Sequence, residues 1–201
     1  MTAREGNEKD SVDRKSVVER HSVRLDSPDL RSPLSVGNGT FCFTADITGL
    51  QTFEEDYARG LPLATMADWG WHSFPNATGH ALESTMLEVE GADGRAASYP
   101  INSRVPAYEW FRSNPHRLHL GRIGLVLIHS DGSRARLSDI EAVDQSLDLW
   151  SAEMISRFRF DSQPVIVRTC VLPDTDAVAL RVESPLLRAG RLRIEVAFPY
   201  P

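Results

Sequence analysis

Residues 152–171 read AEMISRFRFDSQPVIVRTCV. Ala152, Met154, Phe158 and Phe160 share one parity, while Glu153, Arg157 and Arg159 share the other. That period of two gives a strand one buried and one wetted face. The residues 161–164, DSQP, form a turn signal, and after them Val165, Val167, Thr169 and Val171 resume the alternation. The stretch predicts two antiparallel strands joined by a turn.

The pattern spreads outward in both directions. Beyond Pro173-Asp174, Val178, Leu180 and Val182 mark the next strand, and Leu192, Ile194, Val196 and Phe198 alternate with Arg191, Arg193 and Glu195. On the other side, residues 118–128 are apolar and β-branched, and Asp131-Gly132 turns them into 134–140. Farther back, Asn38-Gly39 supplies two residues that tolerate positive φ, as a type I′ turn requires. Phe41, Phe43, Ala45 and Ile47 then alternate with Cys42, Thr44 and Asp46, and Val17, Val23 and Leu25 suggest a first strand ended by Asp26-Ser27-Pro28. Short strands at about 8–12-residue spacing, with no internal repeat and no βαβ alternation, predict an all-β antiparallel sandwich.

Two stretches depart from this rhythm. In 52–59, TFEEDYAR, Thr52 stands at an N-cap position with Glu55 three residues on, and Gly60 follows as a stop; this predicts one short helix. Residues 67–115 are rich in loops, with 85–89, TMLEV, as their strand. A long irregular region in a compact domain is usually functional or packed against something else.

Bulk properties bound the function. At 201 residues with 41% hydrophobic and 25% charged, the chain suits one soluble sandwich with long loops. A net charge of -6 argues against nucleic acid or an anionic membrane as the main partner. Cys42 and Cys170 each sit in a strand-like stretch and read as buried free thiols. The charged N-terminus lacks an apolar signal core and no apolar run reaches membrane-spanning length, so a cytoplasmic protein is expected. Residues 1–15 are polar and read as a disordered tail, leaving 16–201 as the sandwich domain. The last strand runs into Phe198-Pro199-Tyr200-Pro201 with no polar tail, as in a chain that continues into a second domain.

LSVGNGTFCFTADITGLQTF (34–53), WGWHSFPN (69–76), HLGRIGLVL (119–127) and LDLWSAEMISRFRF…VIVRTCVLPDTDAVALRVES (147–184) resemble the N-terminal sandwich of bacterial six-hairpin glycosidase-like proteins. These are relatives of the maltose-phosphorylase and α-fucosidase types of glycoside hydrolase, and the resemblance covers about residues 17–201. It implies a galactose-mutarotase-like super-sandwich that braces a C-terminal (α/α)6 barrel. That barrel, absent from this chain, holds the catalytic carboxylates, so the resemblance assigns this chain no catalytic residue. It implies carbohydrate as the ligand and no cofactor.

Trp69, Trp71 and His72 are the leading site candidates, flanked by Asp68 and Asn76 as polar partners. A pyranose stacks its apolar face on an indole while an imidazole or amide bonds its hydroxyls. The competing reading is that these rings fill a gap against a neighbouring domain. Tyr108, Trp110 and Phe111 form a second aromatic group, read as a domain interface. Glu54, Glu55 and Asp56 read as a solvated helix face. His116 and His119 are three apart at a strand mouth, which does not suit chelation, and no C-x-x-C, P-loop, G-x-G-x-x-G or G-x-S-x-G occurs. An aldose-epimerase-like enzyme would need a His and a carboxylate to converge; His72, His80, His119 and Glu109 supply the residue types without showing convergence.

Overall fold

The computed structural model describes residues 12–199. Most of the expected tail, residues 1–11, lies outside the described residues. Arg14 and Lys15 open helix α1 (Arg14–Glu19), whose N-cap Asp13 accepts from the Ser16 amide. Val17 therefore lies in a helix, and the first strand is only Val23–Leu25 (β1).

The described residues form fourteen strands and four short α-helices. After β1 come β2 (Leu34–Gly37), β3 (Phe41–Ala45), α2 (Glu54–Tyr57) and β4 (Thr65–Ala67). An excursion then carries β5 (Trp71–His72), β6 (Leu87–Glu90), β7 (Ala96–Tyr99), α3 (Pro106–Ser113) and β8 (His116–Arg117). The chain closes with β9 (Arg122–Leu127), β10 (Glu141–Asp148), β11 (Glu153–Phe160), β12 (Gln163–Val171), β13 (Val178–Glu183), α4 (Pro185–Arg188) and β14 (Leu192–Ala197). The sheets are antiparallel: β1-β10-β11-β12-β13, β2-β3-β4, and β14-β9, with the ribbons β5-β8 and β6-β7 in the excursion. This is the expected all-β, sandwich-like architecture, with more short helices than the one foreseen.

The decisive stretch folds as its alternation requires. Met154, Phe158, Phe160, Val165 and Val167 are buried, joined across the sheets by Phe43, Ile47, Leu50, Tyr57 and Leu186. The β11–β12 turn is two residues, Asp161-Ser162, both at positive φ, because Phe160 pairs with Gln163; that is the I′ geometry matched to strand twist. Pro164 is part of β12. Its missing N–H would point past the end of β13, which begins pairing only at Ile166. The Asn38-Gly39 turn is shifted by one residue from expectation. Asn38 pairs with Phe41, Gly39 alone has positive φ, and the Asn38 side-chain oxygen takes the Thr40 and Phe41 amides.

The segment 46–53 lies between the sheets and holds them together. Asp46 is fully buried, and its carboxylate accepts from the Thr48 amide at 2.7 Å, the Thr48 hydroxyl at 2.5 Å, the Thr52 amide at 2.6 Å and the Phe53 amide at 2.7 Å. Thr52 was the expected cap of α2, but its hydroxyl instead accepts from the Leu125 amide. Asp46, six and seven residues earlier, takes the Thr52 and Phe53 amides at the helix entrance. Gln145 donates to the Asp46 carbonyl and Thr169 to the Gly49 carbonyl, while Gln51 reaches the Thr44 carbonyl and the Ile123 amide. Gly124 permits the close approach, since a Cβ there would stand 2.6 Å from the Gln51 carbonyl.

Burial pushes the Asp46 carboxyl up to about 6, against the donors that pull it down. A raised acid contributes stability that is complete below its unfolded value of 3.8 and is lost as pH rises through about 6. Asp46→Asn sets an amide N–H against a backbone donor and is expected to cost about 2–5 kcal/mol. Urea unfolding should show the widest gap between wild type and variant near pH 4, narrowing as pH rises through about 6.

Candidate functional site

The excursion between β4 and β9 carries the aromatic residues singled out in the sequence. It is tied down where it leaves and rejoins the sandwich: Asp68 donates its amide to the Thr40 carbonyl, Leu118 to Gly70, and Leu120 to Thr65. His119 accepts the Thr65 amide on Nδ1, burial holds its imidazole below the usual range, and its Nε2 is buried without a partner among the described residues.

Trp69 is 66% exposed, yet its indole N–H donates to the Asp176 carboxylate at 2.7 Å. Asp176 also accepts from the Thr40 hydroxyl, and Asn38 donates to the Leu172 carbonyl in the same β12–β13 connection. The ring is therefore fixed by its edge while its faces stay open. Trp71 is 47% exposed and lies under the Arg117 guanidinium, 4.6 Å from the ring centre. A hollow of about 280 Å³ is lined by Gly39, Thr40, Met66 and Arg117 among others. Its lining offers the Thr40 hydroxyl and the Arg117 guanidinium, and these two residues in turn contact Asp176 and Trp71.

Strand pairing divides the predicted set. In the β5–β8 ribbon Trp71 stands opposite Arg117 and His72 opposite His116, and successive residues of a strand face opposite ways. His72 therefore leaves the Trp71 side and packs edge-on against Phe74 at 4.7 Å and His116 at 5.0 Å. Asn114 supports that side by accepting the Phe74 amide and donating to the Trp110 carbonyl. Asn76 commits both ends of its amide to the His80 backbone, and the Asp68 side chain is exposed. Sequence reasoning missed Asp176, Thr40 and Arg117. Asp176 lies just beyond the Pro173-Asp174 turn signal and was not singled out, and Arg117 needed the β5–β8 register to be seen.

The second aromatic group is not in a loop. Tyr108, Trp110 and Phe111 lie half-buried on α3, with Trp110 edge-on to Phe111 at 4.9 Å, beside a hollow shared with Leu82 and Thr85. They pack against one another and against the Leu82–Thr85 turn within the excursion. Cys42 and Cys170 are free thiols, half-buried instead of buried.

A hollow of about 890 Å³ lies between α2 and the β9–β14 ribbon. Its charges are partly internally matched, Arg122 with Glu54 and Arg134 with Glu195. A third site gathers His129, whose ring nitrogens bond Asp161 at 2.8 Å and Asp139 at 3.1 Å, while Arg191 also holds Asp161. Two carboxylates on one ring hold His129 above its ordinary value, Asp139 first and Asp161 second. Asp139 is held low by the Arg136 amide and by His129. For Asp161, burial pushes upward, and the His129 and Arg191 bonds together outweigh it. With both nitrogens engaged, the ring has no free position for a substrate; it clasps the strained Asp161-Ser162 turn.

Among the described residues no group of three His, Cys, Asp or Glu is arranged to hold a metal, and no helix is long and apolar enough to cross a membrane. No protein-family model, curated protein or solved structure matches this chain.

The His129 clasp has a defined pH window. The raised imidazole contributes stability that is complete below pH 6.5 and lost as pH rises through its folded value. The lowered Asp139 and Asp161 contribute stability present above 3.8 and lost as pH falls through their folded values. Tm against pH should decline on the alkaline side of 6.5 in wild type, and His129→Gln should flatten that decline.

Proposed function

We propose that this chain is the non-catalytic N-terminal sandwich of a carbohydrate-active enzyme, bracing an (α/α)6 barrel and presenting an aromatic loop to carbohydrate. The observation that carries the reading is the pair of exposed indoles, Trp69 anchored by Asp176 and Trp71 backed by Arg117. Two exposed indoles held by polar contacts at their edges present apolar faces on which a pyranose can stack. Trp69, Trp71 and Arg117 are the contact residues proposed here, with Asp68 on the rim; His72 and Asn76 support the loop.

The bracing role draws support from the β6–β7 hairpin. All its residues are exposed, and Leu87, Val89, Ala97 and Tyr99 form one apolar face. A two-stranded ribbon is marginal alone in water, so this arm suits a neighbouring domain as its seat. The epimerase alternative lacks its pairing: His72 faces Phe74 and His116, His80 lies near Trp110, and His119 bonds Thr65. A free-standing carbohydrate-binding module would use the same indoles, and only the bracing role separates it from the leading reading.

Affinity electrophoresis through a panel of soluble polysaccharides tests the sugar contact. Retardation by at least one polysaccharide is expected, weakened about ten- to a hundredfold by Trp69→Ala or Trp71→Ala at unchanged Tm. Migration unaffected by every polysaccharide, or retardation that survives both substitutions, sinks the aromatic-loop reading.

A further inference from the structure

β14 differs from the other edge strand in what it leaves uncovered. On β13, the far edge of the five-stranded sheet, Val178, Leu180 and Val182 are tucked inward while Arg181 and Glu183 pair on the outside. That is the usual guarded edge. On β14 only Leu192 is buried; Ile194 is 46% exposed, Val196 57% and the following Phe198 73%. These share the face on which Leu125 and Leu127 of β9 enter the core, so the apolar layer runs on past the protein that covers it.

The edge itself is open. Ile128 donates to the Arg191 carbonyl, and β14 pairs with β9 from Leu192↔Leu127 to Ala197↔Arg122. In an antiparallel ladder the bonded pairs alternate. Residues 193, 195 and 197 thus turn their amides and carbonyls to β9, and residues 192, 194 and 196 turn theirs outward. Among the described residues no backbone group takes up that outward row.

We propose that β14 pairs antiparallel with β14 of a second copy of this chain, about a twofold axis at Ile194, making one four-stranded sheet β9-β14-β14-β9. The sequence of the strand, LRIEVA, is self-complementary in that register. Arg193 falls opposite the partner's Glu195, and Glu195 opposite the partner's Arg193. Both pairs occupy non-hydrogen-bonded positions, where opposed Cα atoms approach to about 4.5 Å and side chains interact best. Ile194 at the axis exchanges two backbone bonds with the partner's Ile194. On the other face Leu192 meets the partner's Val196, which extends the uncovered apolar layer across both copies.

Axes at the two charged residues fail on charge, and an axis at Val196 sets Glu195 opposite Ala197 and so forms no ion pair at all. An axis at residue 193 opposes two arginines, and one at residue 195 opposes two glutamates. Arg193 makes no ion pair within the chain among the described residues, and Glu195 has only a long contact of 3.6 Å to a mostly exposed Arg134. Arg193 is therefore available to the second copy, and Glu195 exchanges its long contact with Arg134 for the partner's Arg193.

The test is sedimentation equilibrium of the whole chain over a dilution series. Wild type should approach twice 22.4 kDa, whereas Arg193→Glu and Glu195→Arg should each stay monomeric at unchanged circular dichroism. The double variant Arg193→Glu/Glu195→Arg should recover the dimer, and an equimolar mixture of the two single variants should form a mixed one. Ile194→Pro, which deletes an outward amide and leaves the β9 ladder intact, should also dissociate the pair. A monomeric wild type at every concentration overturns the proposal, as does a dimer indifferent to the charge reversals. Recruitment of a different protein by β14 while the chain alone stays monomeric overturns it equally.

Discussion

The structure depends on the buried carboxylate of Asp46. It closes the 46–53 segment on itself, and that segment then offers its remaining polar groups to every large sheet: Gln145 on β10, Thr169 on β12, Thr44 on β3, and Ile123 and Leu125 on β9. Gln145 is also bonded to Ser156 of β11. Apolar burial around Phe43, Ile47 and Phe160 supplies the driving force for collapse. It is non-directional, however, and does not choose how one sheet sits on another. The polar clamp does, because any other arrangement leaves buried donors without acceptors at about 1–3 kcal/mol each.

The alternation along β11, β12 and β13 was legible because burial on one face imposes a period of two, which survives in the order of residues. Asp46 had registered only as the polar parity of a strand, since its partners at Thr48, Thr52 and Phe53 belong to a loop without regular period. Helix α3 was concealed by its length and by flanking prolines: eight residues, three of them aromatic, offer little periodic evidence. The site was half legible. Trp69 and Trp71 stood out by composition, but the separation of Trp71 from His72 follows from a two-residue pairing between segments more than forty positions apart.

The aromatic loop, the bare hairpin β6–β7 and the α3 packing all belong to one excursion between neighbouring elements of the sandwich. The sandwich is held by buried polar and apolar contacts, while the excursion is held chiefly by backbone bonds at its base and by Asn114. Rigidity is thus concentrated beneath the indoles, where Asp176 and Arg117 come from the scaffold side and the returning strand.

The opposed faces of the β5–β8 ribbon carry different obligations. One bears Trp71 and Arg117 in the open; the other bears His72, Phe74 and His116 against each other. Substitutions on the first face alter what the ribbon displays, and substitutions on the second alter how firmly it is held. Because a strand assigns neighbouring residues to opposite sides, the two properties can drift independently, one residue apart, over evolutionary time.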